Sequence, residues 1–231
     1  IEAPPAIGGR CVTDSAAFDV PFDRGARWLY NPDSSPIAKL ARGVSMDLMP
    51  ASRGQRIRIG RRNARAGEAE DFLANLVRAN RAIGDAVRGK ADMPAAAALP
   101  KDIGVWAGTT DFVLGTQPTG RDLKDLSALD FAAMAQRDAP LACRQGLGTL
   151  IAKLGEGLPI VLSAPVTRIA WSGKDAQIET PAGTITAKAV ILTASPNALL
   201  SGKIKFVPEL PKRQQDAASK LMLGSYDHIA L

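Results

Sequence analysis

Hydrophobic and polar positions alternate along the chain with two different periods, which predicts a protein of mixed helices and strands. Between residues 68 and 88 the apolar side chains recur every three or four positions, the spacing of an amphipathic helix. These positions are Phe72, Leu76, Ala79, Ile83 and Val87. Acidic residues begin the segment, where the helix macrodipole favours negative charge. We therefore expect a long helix whose apolar side packs into a core rather than against a cofactor.

Strand signals concentrate in the second half of the chain. Short β-type runs separated by Gly-, Pro- and Asp-containing turns occur at 159–162, 166–171, 176–180 and 184–187. Residues 189–194 form a continuous apolar run, as expected of a parallel strand covered on both faces. Pro196 blocks its extension. The pattern as a whole predicts an α/β fold.

Shorter helices are predicted at three other places. One covers 35–42, a second runs from an N-cap at Ser127 through Met134, and a third follows the glycine turn at Gly146. Residues 91–100 are rich in alanine and proline, which predicts a loop or the edge of a lid.

An arginine-rich stretch lies between residues 53 and 65, with six arginines in thirteen positions. Arg56, Ile57, Arg58 and Ile59 alternate, which places charge on one face and isoleucine on the other, as in a half-buried strand. No aromatic residue is interleaved with the arginines to stack a base. Although the net charge is +6, we expect no nucleic-acid partner and only a modest attraction for anions.

Composition and cysteine content indicate which class of protein this is. The 231 residues are 46% hydrophobic, enough for one large or two modest cores. No run approaches the roughly 18 apolar residues of a membrane span, so we expect a cytoplasmic protein without a membrane partner, a periplasmic location being left open. Cys11 and Cys143 are far apart and predict reduced thiols. One histidine and two distant cysteines do not supply a zinc site.

The N-terminal residues carry the first candidate chemistry. Glu2 precedes the pair Gly8-Gly9 and Arg10. In a dinucleotide-binding fold, an acid at the tip of the second strand accepts hydrogen bonds from the adenosine ribose hydroxyls, about 20 residues after a glycine-rich phosphate turn. Here the acid is present without that turn before it. The order predicts the end of a nucleotide-binding βαβ unit that belongs to a larger enzyme.

A second block, Asp23-Arg24-Gly25-Ala26-Arg27-Trp28, follows at a short distance. Together the two blocks resemble the flavin-containing amine oxidase family, whose members carry Glu-Ala, then Gly-Gly-Arg, then Asp-x-Gly-Ala-x-Trp. Residues 122–130 resemble a segment of the bacterial members that returns the chain to the cofactor domain. The second half adds an ordered series of matching elements. They are Gly146 and Gly148, Pro165 to Ile169, Thr180 and Gly183, Val190 to Thr193, and Ile204 to Pro211.

The resemblance implies that the cofactor is FAD and gives it a set of binding residues. Glu2 would hold the adenosine ribose, and Arg10 would lie beside the pyrophosphate, which its planar guanidinium suits. Val166 would meet the adenine through its backbone. Gly25, Ala26, Arg27 and Trp28 would lie near the isoalloxazine. The implied set is completed by Gly8, Gly9 and Thr193.

Two departures from the family pattern bear on this site. Pro4 and Ala6 stand where the family often has arginines, which removes positive charge near the phosphates. His228 stands where relatives commonly have a lysine beside the flavin N5 through a bound water, and it is the catalytic candidate. An imidazole with an ordinary pKa of about 6.5 is mostly neutral, so the chemistry implied for His228 differs from that of an ammonium.

The resemblance also predicts an interleaved and incomplete two-domain organisation. FAD-binding, Rossmann-like segments are expected at 1–42 and 140–203. A mixed α+β substrate domain is expected at 43–139 and again from 204 to 231. The glycine-rich turn and the C-terminal block that closes over the flavin are missing from the pattern. We therefore expect a fragment that binds FAD weakly or not at all and is inactive alone.

The implied reaction is oxidation of a small-molecule amine to an imine, with oxygen as electron acceptor and hydrogen peroxide as product. A homodimer is compatible with the sequence. Two alternatives stay open. One is a flavin desaturase or protoporphyrinogen-oxidase-like enzyme, which shares the Gly-Gly-Arg block, and the other is a non-catalytic module that has kept the fold.

Overall fold

The computed structural model describes residues 1–51, 56–89, 91–134 and 140–227. The chain separates into two compact units. The first unit contains Ile1–Ala51 and the described residues from 140 to 223. The second unit contains the described residues from 56 to 134 together with Gly224–Asp227.

The described residues form the following helices and strands. The strands are β1 (Thr13–Asp14), β2 (Phe22–Asp23), β3 (Trp28–Leu29), β4 (Leu48–Pro50), β5 (Arg58–Ile59), β6 (Arg62–Asn63), β7 (Leu141–Cys143), β8 (Arg168–Ala170), β9 (Ala176–Thr180), β10 (Gly183–Ala187) and β11 (Lys205–Val207). The α-helices are α1 (Pro36–Gly43), α2 (Ala66–Ala86), α3 (Ala107–Asp111), α4 (Gln117–Thr119), α5 (Ala128–Ala133), α6 (Leu147–Leu154), α7 (Pro196–Leu200) and α8 (Lys212–Lys220). Short 3₁₀ helices cover Ala95–Ala98, Gly104–Trp106 and Leu123–Asp125, and a π-helix covers Phe112–Thr116.

Three sheets belong to the first unit. Strands β3, β7 and β4 form an antiparallel sheet in that order, and β1 pairs with β2. The third sheet has the order β10-β9-β8-β11, in which only β11 runs parallel to its neighbour. An ion pair between Arg168 and Glu179 joins β8 to β9. The core of the unit is made of Leu29, Ala41, Met46, Cys143, Leu147 and Leu150.

Helix α1 begins where the sequence predicts it. Ser35 has extended backbone angles, and its hydroxyl accepts a hydrogen bond from the backbone N–H of Ala38, which satisfies one of the unpaired donors of the first turn. Pro36 occupies the first helical position, where its missing N–H costs nothing. Ala38 and Ala41 are buried and direct the helix toward the core of the first unit.

The long helix of the second unit is confirmed with a small shift, because α2 covers 66–86 rather than 68–88. Phe72, Ala79 and Ile83 are buried on one face, and Ile83 joins Val87, Ala95, Leu123 and Ala128 in the core of this unit. The carboxylate of Glu68 accepts a hydrogen bond from the backbone N–H of Arg65 at 2.8 Å, which satisfies a donor at the helix start.

The predicted cap of α5 is also confirmed. The hydroxyl of Ser127 accepts a hydrogen bond from the backbone N–H of Asp130 at 3.0 Å. The segment predicted as a loop at 91–100 contains a 3₁₀ helix instead, and Pro94 forms a bridge with Ser127. Alanine repeats favour helical turns once Ala95 is buried in the core, which accounts for the difference.

The arginine-rich stretch forms a hairpin of β5 and β6, in register Arg58 to Asn63 and Ile59 to Arg62. Ile57 and Ile59 are half-buried while Arg56 and Arg58 are exposed, so the predicted alternation holds. Residues 52–55 lie outside the described part.

Two predicted strands do not form in the first unit. Residues 159–162 and 189–194 belong to no strand, although β9 and β10 lie where the sequence places them. Ile191 is 92% exposed. A continuous apolar run makes a buried strand only when neighbouring strands cover its edges and faces. The described residues pair no strand with this run, and most of its residues are exposed. None of the helices in the described ranges is long and apolar enough to cross a membrane.

Candidate functional site

The two N-terminal blocks lie beside each other in the first unit. The backbone N–H of Ala26 donates to the carbonyl oxygen of Arg10 at 3.0 Å, and that of Arg24 donates to the carbonyl of Val12 at 2.8 Å. The sequence predicts both blocks near one ligand, and the backbone pairing brings Arg10 next to the Gly25–Trp28 segment.

Glycine is required at this contact for steric reasons. A Cβ on Gly25 would stand 1.9 Å from the carbonyl oxygen of Arg10. Gly8 has φ +121°, and a Cβ there would stand 2.5 Å from the carbonyl oxygen of Cys11. That turn is closed by a hydrogen bond from the N–H of Cys11 to the carbonyl of Gly8 at 2.9 Å. Both glycines therefore permit a backbone path that no other residue allows.

Gly9 differs from its neighbours because its backbone faces open space. It has φ +54°, and no atom lies within 4 Å of the place a Cβ would take. Arg10 follows it with an exposed side chain. Bare backbone beside an exposed guanidinium is an arrangement that suits an anionic group such as a phosphate.

The second block is tied to α6 by a side chain that sequence reasoning did not assign. Both carboxylate oxygens of Asp23 accept a hydrogen bond from the backbone N–H of Leu147, at 2.9 and 3.0 Å. The hydroxyl of Thr13 donates to the same carboxylate at 2.6 Å. Gly146 holds the N-cap position of α6 and has no side chain with which to cap it. The aspartate that begins the Asp-x-Gly-Ala-x-Trp block was the available signal for this contact.

Helix α6 packs closely against the N-terminal segment, and glycines make the approach possible. A Cβ on Gly146 would stand 2.3 Å from the side chain of Thr13, and one on Gly148 would stand 2.5 Å from the backbone nitrogen of Thr13. At the other end of the helix, a Cβ on Gly155 would stand 2.3 Å from the Cδ1 of Ile7. The glycine turn predicted from the sequence therefore serves helix packing as well as any role toward a ligand.

Glu2 is held by main-chain hydrogen bonds to the segment before Val166. The N–H of Glu2 donates to the carbonyl of Val161 at 2.8 Å, and the N–H of Ala164 donates to the carbonyl of Glu2 at 3.0 Å. This pairing places Glu2 and Val166, which are predicted to hold the two parts of an adenosine, in neighbouring stretches of backbone. The carboxylate of Glu2 accepts a hydrogen bond from the N–H of Ala3 at 3.1 Å and is half-exposed.

The Gly25–Trp28 segment ends in a cation–aromatic pair. The guanidinium carbon of Arg27 lies 4.6 Å from the centre of the Trp28 ring. Such pairs contribute about 0.5–1 kcal/mol at exposed sites. Trp28 begins β3 and pairs with Ala142 of β7, which fixes its backbone while the ring stays half-buried.

Two thiols lie close to these elements. Burial raises the pKa of the Cys11 thiol above its ordinary value of 9.0, the negative charge of Asp23 adds to the rise, and Arg10 opposes it. Burial also raises the pKa of Cys143. Both are free cysteines and both are protonated at neutral pH, as befits structural thiols rather than nucleophiles.

The remaining predicted site residues are not joined to this arrangement. Thr193 is exposed and lies outside helices and strands. His228 lies outside the described residues, so its catalytic role stays a prediction. In the described ranges no group of three or more His, Cys, Asp and Glu residues could hold a metal ion.

The residues present fit an FAD molecule. Glu2 offers a half-exposed acid for ribose hydroxyls, and Arg10 with the open backbone at Gly9 offers donors for phosphates. Trp28 offers an aromatic face next to a segment whose path requires glycine. All of these groups belong to the first unit. Backbone hydrogen bonds join Glu2 to the segment before Val166, and a separate one joins Arg10 to Ala26.

Comparison with solved structures shows the same fold. A double mutant of putrescine oxidase superposes with a TM-score of 0.72 at 17% identity, covering 96% of this chain and 57% of the oxidase. Cyclohexylamine oxidase from Brevibacterium oxydans IH-35A gives a TM-score of 0.69 at 20% identity, covering 94% of this chain and 56% of that enzyme. The chain therefore spans little more than half the length of these enzymes.

Sequence relatives match a shorter region. Human lysine-specific histone demethylase 2 is 39% identical over 87 residues, which is 37% of this chain and 11% of the demethylase. The FLOWERING LOCUS D protein of Arabidopsis thaliana is 30% identical over 86 residues, again 37% of this chain and 11% of the relative. The profile of the family described as flavin containing amine oxidoreductase matches residues 111–231. The fold and the profile match together show that the chain belongs to the flavin containing amine oxidoreductase family.

Proposed function

We propose that this chain forms part of an enzyme that oxidises the carbon–nitrogen bond of an amine with FAD. One observation carries the proposal more than any other. The Gly8–Arg10 turn and the Gly25–Trp28 segment are paired through the hydrogen bond between Ala26 and Arg10, in a chain that belongs to the amine oxidoreductase family.

FAD held by these residues would supply the redox chemistry, which is acceptance of a hydride from the carbon next to the nitrogen and transfer of two electrons to oxygen, which with two protons becomes hydrogen peroxide. The amine also loses a proton from nitrogen, and the resulting imine takes up water to give a carbonyl compound and either ammonia, from a primary amine, or a smaller amine, from a substituted one. The use of oxygen as acceptor is part of the proposal.

The roles of the chain's own residues follow from their chemistry. The Glu2 carboxylate accepts hydrogen bonds from ribose hydroxyls, and the Arg10 guanidinium donates paired hydrogen bonds to pyrophosphate oxygens. The backbone of Val166 meets the edge of the adenine. Trp28 contributes an apolar wall that keeps water from the reacting carbon. His228, at the position where relatives commonly have lysine, holds a water in hydrogen bond as a neutral imidazole.

The proposed substrate is an alkyl amine in which the carbon bonded to nitrogen carries a hydrogen. Putrescine oxidase and cyclohexylamine oxidase are named for such amines. A second candidate is the side chain of a modified lysine in a peptide, favoured by the 39% identity over 87 residues to a lysine-specific histone demethylase. In that case the oxidised carbon is an N-methyl group, which leaves as formaldehyde after the imine is hydrolysed.

The experiment measures flavin binding first. The chain is purified both alone and as a longer form joined to segments that supply the glycine-rich turn and the C-terminal block, because the chain alone is expected to bind FAD weakly or not at all. Each form is titrated with FAD, and the visible flavin spectrum and fluorescence quenching give a dissociation constant. Arg10→Ala and Glu2→Gln should each weaken binding about tenfold, a loss of about 1.4 kcal/mol. Arg42→Ala, a change at an exposed arginine of the same unit, is the control and should leave the constant unchanged.

Reduction is measured next, without oxygen. Putrescine, cyclohexylamine and an N-methyl-lysine peptide are mixed with the flavin-loaded protein, and bleaching of the flavin band identifies the substrate class. Bleaching by a small amine supports the first candidate, and bleaching by the peptide alone supports the second. If the longer form folds and does not bind FAD, the proposed cofactor site is wrong. If it binds FAD and no amine bleaches the flavin, the proposed amine oxidation is wrong.

A further inference from the structure

Helix α2 carries apolar residues on two faces, and within the described ranges only one of them packs inside the second unit. The packed face contains Phe72, Ala79 and Ile83. The Phe72 ring lies 5.2 Å from that of Trp106, and Ile83 joins the core of this unit. The other face, which we call the outer stripe, contains Ala66, Ala69, Leu73, Val77 and Gly84, with Asn80 among them.

Most of the outer stripe is exposed, and Ala69 and Gly84 are half-buried. Leu73 is 53% exposed and Val77 is 68% exposed. Its members are separated by three or four residues, so they fall in one line on the helix surface. Single exposed apolar residues need no explanation, but Leu73 and Val77 are exposed on adjacent turns of one face of a 21-residue helix, and such a pair offers a surface for a partner.

The shape of the stripe suits another helix. Its two larger side chains, Leu73 and Val77, lie at the middle of α2, and alanine or glycine lies toward each end. Small residues at the ends let a second helix come close, and the central pair fills the space between the two axes. At about 1.5 Å per residue, α2 offers a contact line of roughly 30 Å.

The charged residues beside the outer stripe indicate which partner binds it and in which direction. Glu70 lies three residues before Leu73, and Arg81 lies four residues after Val77, on the same flank of the stripe. If a second copy of α2 packs antiparallel with Leu73 opposite Val77, then Glu70 faces Asn80 and Arg81 of the other copy. Two-fold symmetry repeats the contact, so the interface holds two such sets. Opposed helix dipoles also favour this direction.

The charged groups are free enough to form these pairs. Glu70 makes no ion pair within the part of the chain that the structure describes. Arg81 contacts Asp85 of its own helix at 3.5 Å, with most of its side chain exposed. Exposed pairs of this kind contribute little, so Arg81 exchanges Asp85 for Glu70 of another copy at small cost.

We propose that the outer stripe of α2 binds the same stripe of a second copy of this chain, antiparallel, with Leu73 against Val77 at the centre. One helix pair buries less area than a standard stable interface, so the dimer is weak and depends on concentration. The proposal is independent of the proposed enzymatic function, because every residue that it uses lies on α2.

Sedimentation at increasing protein concentration tests the proposal. The mass should rise from that of the 24.3 kDa monomer toward twice this value. Leu73→Glu and Val77→Glu should each raise the dissociation constant at least about tenfold. Leu129→Glu is the matched control, since Leu129 is 42% exposed on α5. Circular dichroism should be unchanged in all three, because each changed side chain is exposed.

The charge swap tests the direction. Glu70→Arg and Arg81→Glu should each weaken the dimer, and the double variant should restore it to within about threefold of the original constant. A parallel pair would not bring these residues together and would show no restoration. A monomer at every concentration overturns the proposal, as does a double variant without restoration or a Leu129→Glu loss equal to that of Leu73→Glu.

Discussion

The carboxylate of Asp23 caps the N-terminus of α6, which begins 124 residues later in the chain. Both of its oxygens accept a hydrogen bond from the backbone N–H of Leu147, at 2.9 and 3.0 Å. Gly146 precedes the helix and has no side chain to do this. The cap thus joins the segment that leads into Gly25 to α6, and the geometry of the candidate site depends on it.

We expect Asp23→Ala to lower the free energy of unfolding by about 1–2 kcal/mol, because the N–H of Leu147 and the hydroxyl of Thr13 both lose their acceptor. Urea denaturation followed by tryptophan fluorescence measures the change. Asp19→Ala, at an exposed aspartate of the same N-terminal segment, should change the value by less than about 0.5 kcal/mol. Equal losses in the two variants would show that the cap does not stabilise the fold.

A second prediction concerns the contact between the two N-terminal blocks. Gly25→Ala places a Cβ where only 1.9 Å separates it from the carbonyl oxygen of Arg10, so the two backbones must move apart. We expect a destabilisation of about 3 kcal/mol together with a loss of flavin binding. Gly43→Ala is the matched control, because no atom lies within 4 Å of its new Cβ, and stability should be unchanged or slightly raised. Retained flavin affinity in Gly25→Ala would separate this contact from the cofactor site.

Signals that act over a few residues could be predicted from the sequence, and contacts across the chain could not. Ser35 and Ser127 cap helices that begin immediately after them, and the apolar spacing of α2 is a property of consecutive turns. The cap from Asp23 joins residues far apart, and no local pattern reveals it. The resemblance to a family implied that Arg10 and the Gly25–Trp28 segment lie near one cofactor, and the hydrogen bond between Ala26 and Arg10 was not predicted. The prediction of a buried strand at 189–194 was wrong because the apolar composition of the run favours burial, but burial also requires neighbouring strands that the local sequence does not specify.

The exposure of that run gives a third prediction. Because Ile191 is 92% exposed, Ile191→Lys should change the free energy of unfolding by less than about 0.5 kcal/mol and should raise solubility. Ile178→Lys is the contrast, since Ile178 is 4% exposed in β9 and a buried, unpaired ammonium should cost about 3–5 kcal/mol. Chemical denaturation of both variants measures the difference. A large loss in Ile191→Lys would show that the run is a buried strand in solution.

The last prediction uses the carboxylate at the start of α2. Hydrogen bonds from the Arg62 guanidinium, with a further one from the backbone N–H of Arg65, lower the pKa of Glu68 from 4.5 to about 2. A folded-state pKa below the unfolded value means that the ionised form stabilises the fold above pH 4.5, and that this contribution disappears as the pH falls through about 2. Glu68→Gln should therefore be less stable than the original chain at pH 7. The gap should be constant down to about pH 5 and should close by pH 2. Glu70→Gln, measured at low protein concentration, is the control from the same helix turn. Thermal unfolding at a series of pH values measures the gap, and a gap independent of pH would show that the hydrogen bonds to Glu68 do not depend on its charge.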